Sequence, residues 1–162
     1  MMYIKTFIIM LILLLGMNMR ITVQGIEESQ AEKPDYSRVG SKIENTVRGS
    51  IEDQSWMTSV SKQEVHSLLK RYFAGNLLED LTEKCWDFIK EPTDWYSEAK
   101  VIDMKVLYND GKRAVVEALI RIEDVDTGHN EIGKGLFTMN SAGDQWRINY
   151  MAIQWGMQSE IR

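Results

Sequence analysis

Apolar side chains change their spacing along this chain, and each change marks an element boundary. An unbroken apolar run, Phe7–Leu15, sits inside an uncharged stretch from Thr6 to Met19. Between Tyr36 and Gln54, Val39, Ile43, Val47 and Ile51 recur every four positions, the narrow stripe of an amphipathic helix. Gly40 and Gly49 interrupt it, at a cost of about 1 kcal/mol each relative to Ala. The pattern predicts a marginal helix in need of a partner surface, or a disordered linker in its place. Ser61-Lys62-Gln63-Glu64 has the S-x-x-E form of a capping box. Val65, Leu68, Leu69, Tyr72 and Phe73 follow at the spacing of one buried helix face, and Gly75-Asn76 predicts its stop. A second helix fits Leu77–Lys90, with Leu78, Leu81, Cys85, Phe88 and Ile89 on one side. Glu91-Pro92 ends it. Trp95 and Tyr96 fall in a short connector.

From Val101 the period is two. Ile102, Met104 and Val106 alternate with Asp103, Lys105 and Leu107. Asn109-Asp110-Gly111-Lys112 carries the Asp-Gly pair of a hairpin turn. In Arg113–Glu123, Ala114, Val116, Ala118, Ile120 and Ile122 share one face, while Glu117, Arg121 and Glu123 share the other. The polar turn Asp124–Asn130 leads to Glu131–Asn140. Ser141-Ala142-Gly143-Asp144 then turns into Gln145–Trp155, with Trp146, Ile148 and Tyr150 on one face. Four hairpin-linked strands with one apolar face form an antiparallel meander that helices must cover. The predicted fold class is α+β: N-terminal helices packed on a curved four-stranded meander over residues 59–156. A bulge in any strand would move the residues beyond it to the opposite face.

The segments outside this domain differ in chemistry. Residues 1–25 place Lys5 before the apolar run and a short polar stretch after it, the order of a secretory signal. Fourteen uncharged residues fall short of the ~20 that span a bilayer. Tyr3 to Ile26 is long enough to anchor if Lys5 and Arg20 snorkel. A cleaved signal and a retained anchor both stay open, and either one predicts a domain secreted or anchored on the extracytoplasmic face of the membrane. Residues 26–58 read as a polar tether containing the marginal helix, and residues 157–162 as a tail.

Charge and cysteine content narrow the chemistry. The chain carries a net charge of −5; after Gly25, 17 basic and 24 acidic side chains leave −7. Such an acidic domain is a poor match for a phosphate backbone, so no nucleic-acid partner is predicted. One cysteine, Cys85, and two histidines, His66 and His129, exclude a disulfide framework and argue against Cys-based zinc and His-rich metal sites. No cofactor is predicted. Gly-rich phosphate loops, G-x-S-x-G elbows and H-E-x-x-H motifs are missing from the sequence.

The order of two helices, connector and four strands, closing in Gly143-Asp144-Gln145-Trp146-Arg147-Ile148, resembles the nuclear transport factor 2-like (cystatin-like cone) superfamily over about residues 59–155. A leader followed by one cone also resembles the assembly subunits of conjugation and type IV secretion machines. The resemblance implies a pocket between helices and sheet. It does not imply an activity, since the superfamily includes isomerases, dehydratases, carriers and structural domains.

The pocket is expected to be lined by Tyr72, Met104 and Ile120. The predicted inner face holds no ionisable side chain, so no catalytic residue is assigned. His66, Asp103 and Glu117 are the candidates an acid–base enzyme would need. His129 reads as a turn residue and Cys85 as a buried small hydrophobe. Asp124-Val125-Asp126-Thr127-Gly128 resembles the opening of a calcium loop, but Gly135 stands where its distal Glu belongs, so a hairpin loop is expected. Trp86, Trp95, Tyr96 and Trp155 form either an interaction surface or a satellite core. The favoured function is an exported, non-enzymatic interaction or assembly domain at the cell envelope, pairing with an envelope protein or itself, and with the membrane through residues 1–25 if these are retained. One alternative is a carrier of a small apolar ligand. Another is a cone-type isomerase or dehydratase.

Overall fold

The computed structural model describes residues 36–91 and 97–156, where the period of the sequence becomes the period of the backbone. Helix α1 (Tyr36–Glu52), a 3₁₀ turn (Ser55–Thr58), α2 (Lys62–Leu69) and α3 (Gly75–Lys90) precede four strands. These are β1 (Ser97–Asn109), β2 (Arg113–Asp124), β3 (Asn130–Ala142) and β4 (Gln145–Trp155). They pair in the order β1-β2-β3-β4, antiparallel throughout, the α+β arrangement the sequence predicts. The leader, residues 26–35, Trp95, Tyr96 and the tail 157–162 lie outside the described residues. Among the described residues no helix is long and apolar enough to cross a membrane.

The packed unit begins well before residue 59, the boundary expected from sequence. Ile43 and Val47 of α1 are fully buried in one cluster with Phe137 and Ile148. A narrow stripe is easily mistaken for a tether, yet here Ile43 and Val47 are in the core and Ile51 packs, partly buried, against it. α1 packs against both edge strands, β1 and β4. Arg48 donates to the carbonyl of Val101 at 3.0 Å, and the Val101 amide donates to Glu52 at 2.9 Å. The two side chains are themselves paired at 2.9 Å. Both backbone groups on the free edge of β1 are thereby satisfied at that point, which guards an edge strand against pairing with another chain.

The Ser61 hydroxyl accepts from the Glu64 amide at 3.2 Å, and the Glu64 carboxylate accepts from the Val60 amide at 2.9 Å. The capping box is present, shifted by one residue on its return arm. α2 ends at Leu69, so Tyr72 and Phe73 lie beyond it rather than on its stripe. The cause is tertiary: the Ile148 amide donates to the Tyr72 carbonyl at 2.8 Å, and the Ala74 amide to the Ile148 carbonyl at 2.9 Å. This short parallel bridge covers the edge of β4. Asp110 accepts from the amides of Lys112 and Arg113 and closes the β1–β2 hairpin.

Three register shifts re-aim side chains. The shift between Val101 and Asp103 puts Val101 in the core, leaving Ile102 exposed, against the alternation expected. Another lies between Val106 and Tyr108, where Leu107 is exposed. In β4 the extra residue Asn149 switches the inward set from Trp146 and Ile148 to Met151 and Ile153, so Tyr150 faces solvent rather than sharing a face with Trp146. Bulges also bend strands, which curves the sheet about the helices.

Candidate functional site

A cavity of about 120 Å³, partly open to solvent, lies where the end of α1 and the 3₁₀ turn meet α3 and the sheet. Its floor is Ile120, Ile122, Met151 and Ile153 from the strands. Leu81, Cys85 and Phe88 of α3 form one wall, and Trp56 and Met57 of the 3₁₀ turn another. The Trp56 and Phe88 rings meet edge to face with centroids 6.0 Å apart. Trp155 closes the sheet side. Its ring lies on Gly133 so closely that a Cβ there would come within 2.5 Å of Cε3, and only glycine admits the indole in this position.

Polar groups are few. Asp53 stands at the rim with its carboxylate already engaged. Oδ1 accepts from the Ser55 amide at 2.9 Å. Oδ2 accepts from the Tyr72 hydroxyl at 2.7 Å and from Arg71 at 2.9 Å. Burial pushes the Asp53 pKa up, but hydrogen bonds from Ser55 and Tyr72 and the charge of Arg71 outweigh it and hold the carboxyl below its ordinary value. Burial, then the hydrogen bond and charge of Asp53, raise the phenol of Tyr72. Gln54 donates to the Ser97 carbonyl at 3.2 Å. Burial pushes the Cys85 thiol up to about 12, so it stays protonated at neutral pH. The indole Nε1 of Trp155 is buried and has no hydrogen-bond partner among the described residues.

Of the expected pocket residues, Ile120 lines the cavity. Tyr72 does not, but its hydroxyl holds Asp53, which does. Met104 is half-buried against the core away from the cavity, because the first bulge sets the register of β1 beyond Val101. Among the aromatic residues assigned to a surface, Trp155 lines the cavity. Trp86 is half-buried against the core with the Lys90 ammonium 5.5 Å from its ring centre. Trp95 and Tyr96 lie outside the described residues.

The three acid–base candidates all face away from the cavity. His66 Nε2 lies 3.4 Å from Glu79 between α2 and α3. Asp103 is exposed. Glu117 pairs with Lys134 at 2.7 Å on the outer face of the sheet. Asp124 Oδ1 accepts from the amides of Asp126 and Thr127, so this segment is a hairpin loop, in which the Asp124 amide donates to the His129 carbonyl at 2.8 Å. The sequence offered no sign of Asp53 or Trp56 as site residues, since both sit in the stretch read as a tether. The one available hint was Asp53-Gln54-Ser55, an acid followed two residues later by a residue whose amide it can cap.

No family model and no curated protein matches the chain. Several solved structures resemble it in backbone only, two of them as follows. The β subunit of benzoate 1,2-dioxygenase from Burkholderia mallei shares 13% identity at a TM-score of 0.49, covering 82% of this chain and 97% of that one. The intermembrane-space region of the chloroplast protein ARC6 shares 13% at 0.46, covering 77% and 100%. Both TM-scores lie below 0.5 and carry no functional argument.

Proposed function

We propose that this chain is an exported binding domain of the nuclear transport factor 2-like kind, holding a small, uncharged, largely apolar molecule between α3 and the sheet. The observation that carries this reading is the cavity. It is walled by Leu, Ile, Met, Phe and Trp side chains, and an apolar void of this order accepts a molecule of about benzene size. The rim supports binding over catalysis. A general base needs a free lone pair and a pKa near the working pH, whereas Asp53 is depressed and already accepts three hydrogen bonds. The leader supports placement outside the membrane, and the mass of the mature amino terminus distinguishes a cleaved signal from a retained anchor.

The test is a titration of the full chain with toluene and other six- to eight-atom apolar probes, followed by the thermal midpoint and tryptophan emission. Binding should raise the midpoint, and Ala99→Leu, which adds bulk at the cavity wall, should abolish the effect. If no probe binds at millimolar concentration, the pocket reading fails.

A second reading, docking to an envelope protein or a second copy, is favoured by the outer face of the sheet. Tyr108, Val115, Thr138 and Tyr150 are register partners in one row across all four strands, and both tyrosines are exposed. Light scattering of the wild type and of Tyr108→Lys separates self-association from a monomer.

A further inference from the structure

Among the described residues, one side chain of the cavity wall carries an unmet polar demand, and it bears on the ligand. An indole N–H is a donor with no acceptor capacity. In Trp155 this donor is buried without a partner among the described residues, on a ring that lines the cavity. Buried donors are seldom left unpaired in native structures. The ring cannot retreat to find a partner, since its benzo edge is seated on Gly133. Nor do the neighbouring polar groups supply an acceptor. The Asp53 carboxylate is held by Ser55, Tyr72 and Arg71, and Gln54, whose Nε2 donates to the Ser97 carbonyl, does not bring its Oε1 within hydrogen-bond reach of the indole.

Resting on the pocket reading above, we propose that the natural ligand is an uncharged molecule of about six to eight heavy atoms in its buried part, carrying a hydrogen-bond acceptor that takes the Trp155 Nε1–H. A carbonyl, ether or aromatic nitrogen meets this description. A carboxylate does not, because among the described residues the cavity wall presents no cation and the rim presents Asp53.

Two probes of equal shape test this: cyclohexanone, which has an acceptor oxygen, and methylenecyclohexane, which has a CH₂ in its place. The readouts are the dissociation constants and the indole N–H resonances of the full chain, with Trp155 assigned by its loss in Trp155→Phe. Cyclohexanone should move the Trp155 N–H signal downfield, and methylenecyclohexane should not. Trp155→Phe reshapes the wall for both probes, so the readout is the ratio of their dissociation constants, which should shift against the ketone about five- to tenfold, the range of one net hydrogen bond. If both probes bind but neither the resonance nor the variant distinguishes them, the acceptor is refuted and the apolar pocket stands. If neither binds, the pocket reading itself is overturned and the acceptor with it. The resonance measurement needs only the wild-type fold, so a Trp155→Phe variant that fails to fold leaves the test intact.

Discussion

The ring of Tyr72 lies directly on Gly49. A Cβ at that position would stand 2.4 Å from Cε1 of the ring. The glycine that weakens α1 by local propensity is therefore the one that lets the Tyr72 hydroxyl reach Asp53 across from the end of the same helix.

Gly49→Ala should destabilise the protein by about 1–3 kcal/mol, the usual cost of overpacking, despite the better helix propensity of Ala. Gly40, on the same helix, has open space around it. Gly40→Ala should be neutral or stabilising by up to ~1 kcal/mol. Urea unfolding of both variants measures the contrast. Equal effects would mean that propensity, not the Tyr72 contact, governs position 49.

The Asp53 interactions give stability a pH signature. Asp53 has a lowered pKa in the fold, so its contribution is complete above the ordinary aspartate range near 4 and fades as pH falls through it. The raised pKa of Tyr72 works in the other direction. Its contribution is complete below about 10 and is lost as pH rises beyond that. The stability gap between wild type and Asp53→Asn should be largest from about pH 5 to 9 and narrow at both ends. A gap independent of pH would sink this account.

Cys85 should be nearly inert in the native state. With its thiol pushed up to about 12, the thiolate that attacks reagents is scarce at pH 7. Charged disulfide reagents should react only on unfolding. A small neutral alkylating agent that enters the cavity should react slowly, and more slowly still with the pocket occupied. Rapid labelling by both reagents would place Cys85 outside the cavity.

Glu52→Ala removes the acceptor for the Val101 amide. Loss of one hydrogen-bond partner from a partly buried amide should cost about 1–2 kcal/mol. Hydrogen exchange should quicken most at Val101, and less at the paired amides between β1 and β2. Unchanged exchange at Val101 would show that the Arg48–Glu52 pair does not guard this edge.

By itself the sequence determined the α+β class, the order of the elements and two of the turns. Periods of 3.6 and 2 encode which face of each element is apolar, and Ser61, Asp110 and Asp124 each satisfy backbone groups within a few residues of themselves. Ile120 and Cys85 were legible as inward-facing for the same reason. Tertiary structure alone decided where α2 stops, which residues of β1 and β4 face inward, and what forms the site. Pairing of Tyr72–Ala74 with Ile148 ends the helix where the pattern would continue it. A bulge depends on the partner strand, so Val101 displaces Ile102 and Met151 displaces Tyr150 with no local signal. The site joins Asp53 and Tyr72, each from a connector between helices, with Cys85 of α3 and Trp155 of β4. Along the chain they lie up to about a hundred positions apart, beyond the reach of any periodicity. The role of α1 was hidden for the same reason: its narrow stripe has meaning only against the sheet that comes after it.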